Sequence, residues 1–100
     1  MKLITAIVRT VSVDHVVKCL EDAGFRGLTM SEIKGFGEEA TMNKPYTIHD
    51  KLEIIVSDED AEKVVNIILE NTRSGIAGDG VISVAPLDYA VKIRTKERLG

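Results

Sequence analysis

The sequence predicts one α+β domain with the element order β-α-β-β-α-β and one further strand at the end. Three observations carry this. Two amphipathic runs recur at helical spacing, each after a β-branched apolar run; glycine and proline punctuate the joins; and 100 residues, 44% hydrophobic and 29% charged, suit a single compact domain. A chain this short removes only roughly two-thirds of its unfolded surface from water, so assembly into an oligomer is a natural supplement.

Residues 2–8, Lys2-Leu3-Ile4-Thr5-Ala6-Ile7-Val8, are aliphatic and β-branched and read as the first strand, closed by Arg9 and Thr10. Ser12 and Asp14 offer capping side chains for a helix over 14–23. Its apolar face is Val13, Val16, Val17, Leu20 and Ala23, and Gly24 ends it. Residues 27–34 alternate as a second strand, with Leu28, Met30 and Ile33 competing for the core side, and Gly35-Phe36-Gly37 breaks it. Residues 38–50 turn polar around Pro45 without a period, so they form one long loop, and a loop of that length in so small a domain tends to be functional.

Residues 51–57 make a third strand, whose run of Leu52, Ile54, Ile55 and Val56 suits a strand covered on both faces. Asp58, Glu59 and Asp60 place negative charge at the positive end of a second helix. Its buried stripe is Ala61, Val64, Val65, Ile68 and Leu69, and Arg73-Ser74-Gly75 stops it. A glycine-rich turn leads to a short strand at 81–84, a turn at 85–88 and a last strand at 89–94. This order is the split βαβ pattern of ferredoxin-like domains, an architecture that hosts many unrelated functions.

The formal net charge of −3, with cations and acids interleaved, provides no basic field for nucleic acid or an anionic membrane surface. No apolar run has signal-peptide or membrane-spanning length, so a cytoplasmic protein that is not membrane-inserted is expected. The one cysteine, Cys19, permits no intrachain disulfide and reads as a small buried hydrophobe, the alternative being a reactive thiol. His49 has no partner at ligand spacing, and no metal site is expected.

Two glycine-containing segments allow backbone amides to approach an anion closely: Gly35-Phe36-Gly37 and residues 75–80. The second follows a helix C-terminus and lacks the lysine of a P-loop, so on its own it is a weak signal and reads first as a turn into a strand. Lys92 and Arg94, two apart on the expected last strand, project to one face, where they either grip phosphate or form a solvated edge.

Four collinear segments resemble the PII signal-transduction family in order and spacing. They are residues 2–9, residues 27–37 from Gly27-Leu28-Thr29 to Gly35-Phe36-Gly37, the turn Arg73-Ser74-Gly75-Ile76-Ala77-Gly78-Asp79-Gly80, and Lys92-Ile93-Arg94-Thr95. The resemblance implies a homotrimer with adenine-nucleotide sites between neighbouring subunits, and a loop, the T-loop, that signals to a target protein without catalysis. Carried over by position, Ile7, Gly27, Leu28, Thr29, Gly35, Phe36 and Gly37 form the base side of that site. Gly78, Asp79, Gly80, Lys92 and Arg94 form the phosphate side.

Departures from the family pattern sharpen the expectation. Glu38 and Glu39 stand where the family has an Arg-Gln pair that helps seat magnesium and 2-oxoglutarate, so that site is in doubt although Lys51 matches a family lysine beside it. Residues 38–50 correspond to a shortened T-loop, and Tyr46 is not equated with the tyrosine that some relatives have uridylylated. Ile76 and Val81 replace two family lysines that reach the outer phosphates, which favours ADP or AMP over ATP and leaves magnesium open. Two other readings stand beside this one. A side-branch PII-like protein, carboxysome-associated or otherwise, would sense bicarbonate or another small metabolite together with the nucleotide. A small phosphohydrolase on the same fold would need a nucleophile and base that no residue pair here supplies.

Overall fold

In the computed structural model, residues 1–37, 42–43, 46–75 and 78–99 are described. The first strand, β1 (Lys2–Arg9), buries every second residue, Ile4, Ala6 and Val8, as a strand with one face on a core must. It lies inside a four-stranded sheet of order β2-β3-β1-β4, with β2 spanning Thr29–Gly35, β3 Thr47–Val56 and β4 Gly80–Pro86. All neighbours are antiparallel; Lys2 lies opposite Val56 and Pro86, and Val8 opposite Asp50 and Gly80. With two helices on one face, this is the ferredoxin-like arrangement predicted from the pattern.

Both helices cover the same face. The first, α1 (Val13–Asp22), buries Val13, Val16 and Leu20; the second, α2 (Asp58–Thr72), buries Ala61, Val64 and Ile68. They close over Ile4, Ala6, Val8, Leu52, Ile54 and Val56, and Val17, Phe25, Leu28, Val65 and Ile82 pack around that core. Burying a Val, Leu or Ile side chain contributes about 1.5–3 kcal/mol, so this single layer carries the stability of the domain.

Several expectations are corrected. A single 3-10 turn at Thr10–Ser12 precedes α1, and Ser12 makes no capping hydrogen bond with its side chain. Cys19 is half-buried rather than buried, with its Sγ 3.8 Å from His15 Nε2 one turn away. Leu69 is 47% exposed and leaves the buried stripe. Ile55 is also exposed, because in this chain β3 has helices on one face only. β3 begins at Thr47, so residues 47–50, expected in the loop, are strand, and the segment between β2 and β3 narrows to 36–46. Glu38, Glu39 and Pro45 lie outside the described residues.

The last strand differs most. Its paired part is only β5 (Ala90–Val91), joined as a hairpin to β6 (Arg98–Leu99) and separate from the main sheet. Lys92 N–H donates to the Glu97 carbonyl at 2.9 Å and Lys96 N–H to the Lys92 carbonyl at 2.8 Å, with Lys96 at φ 60°. Lys92 and Arg94 therefore sit on a turn, not on one face of a strand. The chain reverses at residues 93–95, and two contacts brace it: Thr95 Oγ1 accepts the Glu97 N–H at 3.2 Å, and the Arg98 guanidinium lies 4.0 Å over the Tyr89 ring.

Candidate functional site: the glycine turn and the sheet edges

The C-terminal ends of β1 and β2 and the starts of β3 and β4 share one end of the sheet. There the turn after α2 is organised around a carboxylate. Asp79 Oδ2 accepts the backbone N–H groups of Ser74 and Gly75, both at 2.8 Å, and its Oδ1 accepts the Ser74 hydroxyl and the Arg9 Nε–H, the latter at 3.4 Å. These donors hold the Asp79 carboxyl far below the usual carboxylate range, the Ser74 hydroxyl and amide contributing most. Gly78 at φ +93° and Gly80 at φ +106° complete the turn in backbone conformations that glycine tolerates best. Gly80 is further constrained, since a Cβ there would lie 1.8 Å from the Ile7 carbonyl oxygen.

The opposite face of the sheet is also engaged at this end. Along β3 the buried positions change parity: Leu52, Ile54 and Val56 face the helices, whereas Thr47 and His49 are buried on the other face, in an unbroken register with β1. The glycine turn meets this face at His49. His49 Nε2 lies 3.1 Å from the Gly78 carbonyl, and His49 Nδ1 lies 3.2 Å from Thr47 Oγ1.

The predicted site residues fall into four places. Ile7, Asp79 and Gly80 line a cavity of about 400 Å³ at the β4 edge, closed by Leu69 and Arg73 at the end of α2. Gly27 and Leu28 line a smaller one, about 240 Å³, at the β2 edge with Phe25 and Arg26. Thr29 opens β2, its hydroxyl donating to the Glu53 carbonyl at 3.4 Å. Gly35 is six residues further along the same strand, roughly 20 Å away. Phe36 beside it is 85% exposed, Gly37 is also exposed, and Lys92 and Arg94 lie on the exposed hairpin turn and line neither cavity. One chain thus brings together Ile7, Asp79 and Gly80, with Gly78 beside them in the same turn, and leaves the β2 residues and the hairpin cations apart from that group.

Arg9, Ser74 and His49 belong to this arrangement and were not among the predicted site residues. Arg9 and His49 are directly opposed across β1 and β3, a register that no local motif encodes. The polar pair at 47 and 49, two apart, was the available signal for a buried polar face. Lys51, the family-matching lysine, pairs with Glu53 at 3.8 Å on its own strand, and Tyr46 lies under the Lys34 ammonium at 4.7 Å. Among the described residues no three His, Cys, Asp or Glu side chains cluster to hold a metal ion, and no helix is long and apolar enough to cross a membrane.

Comparison with known proteins places the chain. The profile of the family described as Nitrogen regulatory protein P-II matches residues 1–97. The chain belongs to the P-II family. It is also 37% identical over 106 aligned residues to Nitrogen regulatory protein P-II 2 of Methanothermobacter thermautotrophicus, covering 97% of this chain and 92% of that protein. The family is one of regulatory proteins, and the four segments that suggested it lie within the matched span.

Proposed function

We propose that this P-II protein is a cytoplasmic homotrimeric regulator that holds an adenine nucleotide, ADP or AMP in preference to ATP, in clefts between its subunits. It acts by binding rather than turnover, and it reports the occupant to a target protein through the segment between β2 and β3, residues 36–46, as its shortened T-loop. One observation carries the reading: the base-side residues Gly27 and Leu28 line the β2 edge, and the phosphate-side residues Asp79 and Gly80 line the β4 edge. Three strand spacings, roughly 14 Å, separate those edges within a chain, so one chain cannot close a cleft from both sides. Head-to-tail contact of the β2 edge of one copy with the β4 edge of the next does so and generates a ring.

The sheet face without helices supports the same assembly. Leu3 and Ile7 of β1, Ile55 of β3 and Ala85 of β4 lie there among Thr5, Lys51, Glu53 and Ser83, and Ile55 is 43% exposed, which gives a mixed apolar and polar surface for a neighbour to cover. The hairpin would deliver Lys92 and Arg94 to a neighbour's phosphate side. The second metabolite is left open, because Glu38 and Glu39 would repel a dianion at the 2-oxoglutarate position.

Light scattering is expected to give three times the 10.9 kDa chain mass. A thermal-shift series should show ADP and AMP raising the midpoint at least as far as ATP, since ligand at about a hundred times its Kd adds about 2.7 kcal/mol to apparent stability. A stable monomer at micromolar concentration, or no shift with any of the three nucleotides, overturns the proposal.

A further inference from the structure

His49 is a buried titratable side chain that the binding proposal does not use. It is 9% exposed, as is Thr47, and it stands where two parts of the molecule meet. Because a carbonyl oxygen only accepts, the His49 nitrogen facing Gly78 must carry the hydrogen: Nε2–H donates to the Gly78 carbonyl. In the neutral ring Nδ1 is then the acceptor, and the Thr47 hydroxyl donates to it. The imidazole thus joins the glycine turn, through Gly78, to the first residue of β3, where the chain returns to the sheet after the segment joining β2 and β3.

The two ends of this link differ in what holds them. On the turn side, Asp79 follows Gly78 directly and gathers the donors of Ser74, Gly75 and Arg9. On the strand side, Thr47 lies opposite Gly35 and His49 opposite both Ile33 and Arg9. A displacement of Gly78 therefore moves a ring whose other nitrogen is bonded to the start of β3.

We infer that His49 is a positioning residue that couples the glycine turn to the start of β3, so that a change of state in the turn is transmitted to residues 47–49. Its regulatory meaning rests on the nucleotide reading above; the mechanical coupling does not.

Amide hydrogen exchange on the ligand-free full chain tests it by a mutant cycle. Asp79→Ala releases the turn. In the wild-type background it should raise exchange about fivefold at 78–80 and also at 47–49, the scale of one lost hydrogen bond. His49→Gln keeps an N–H donor at the position of Nε2 but has no acceptor in the place of Nδ1. In that background Asp79→Ala should raise exchange at 78–80 only. Ser74→Ala is a milder release of the turn and serves the same cycle if Asp79→Ala does not fold. The inference is overturned if 47–49 do not respond in the wild-type background, or respond equally in the His49→Gln background. No nucleotide enters the experiment, so its failure and a failure to bind nucleotide are separate results.

Discussion

The glycine turn and the C-terminal hairpin were both expected to contact phosphate, yet the chain treats them differently. Residues 74, 75, 78 and 79 are tied to one another, to Arg9 and to His49, so these residues are held by the chain's own bonds. In the hairpin, Lys92 and Arg94 are exposed on a turn closed mainly by its own backbone bonds, and Ile93 between them is 94% exposed. A backbone held by its own internal bonds loses little entropy on binding, whereas an exposed side-chain cation costs ordering and contributes charge. The contrast assigns geometry to the turn and charge to the hairpin. Substitutions in the first should disturb folding and those in the second should disturb binding alone.

The largest expected effect is at Gly80. Its φ of +106° and the 1.8 Å approach of a Cβ to the Ile7 carbonyl leave no relaxation short of moving β1 away from β4. Gly80→Ala should cost at least ~3 kcal/mol of stability, combining backbone strain with a clash in the sheet. Gly75, at φ +82° with nothing within 4 Å of a Cβ, is the control: Gly75→Ala should cost only about 1–2 kcal/mol. Urea unfolding of both variants decides it, and equal midpoints would remove close packing as the reason for glycine at 80.

Arg94→Ala should do the reverse. A charge-assisted hydrogen bond is worth on the order of 1.5–3 kcal/mol, so affinity for AMP, ADP and ATP should each fall by about tenfold or more, with stability unchanged within about 0.5 kcal/mol. Val81→Lys should improve ATP alone, by about fivefold, because it restores one cation beside the turn where the outer phosphates would lie. Calorimetric titration of both variants against the three nucleotides separates the roles. A wild type favouring ATP by about tenfold, with no gain from Val81→Lys, would sink the charge argument.

How far these regions were legible in the sequence follows from what each depends on. Periodicity reports burial against the chain's own core, so β1 and both helices were readable from Ile4, Ala6, Val8, Val64 and Ile68. It fails where burial has another source. Thr47 and His49 are polar, and His49 meets Gly78, 29 residues beyond it, so residues 47–50 looked like loop. The hairpin failed for the opposite reason. Tyr89, Val91, Ile93 and the cations alternate as a strand does, but without a neighbour in the sheet the chain turns at residues 93–95 instead. Of the predicted site, glycines 78 and 80 were legible because left-handed backbone selects glycine. Arg9 was not, since its role comes from register alone.

The smallest expected effect sharpens the comparison from the side of charge. Asp79 is the internal anion of the turn, and its donors lower its pKa well beneath that of an unfolded aspartate. A group whose folded value is depressed contributes stability in full above its unfolded value and loses it as pH falls toward the folded one. The closure of the turn should therefore be constant from neutral pH down to the ordinary carboxylate range and weaken only in stronger acid. Asp79→Asn keeps an oxygen acceptor but removes the charge, so amide exchange at Ser74 and Gly75, corrected for intrinsic rates, should be faster than wild type at pH 7. That difference should shrink toward zero as acid protonates the wild-type carboxyl, while the hairpin amides, which make no bond to Asp79, serve as the internal reference. A carbon-detected titration of the Asp79 carboxyl reads the same event directly. A midpoint in the ordinary aspartate range would mean that the turn's donors do not hold the charge, and that the shape of the turn does not depend on it.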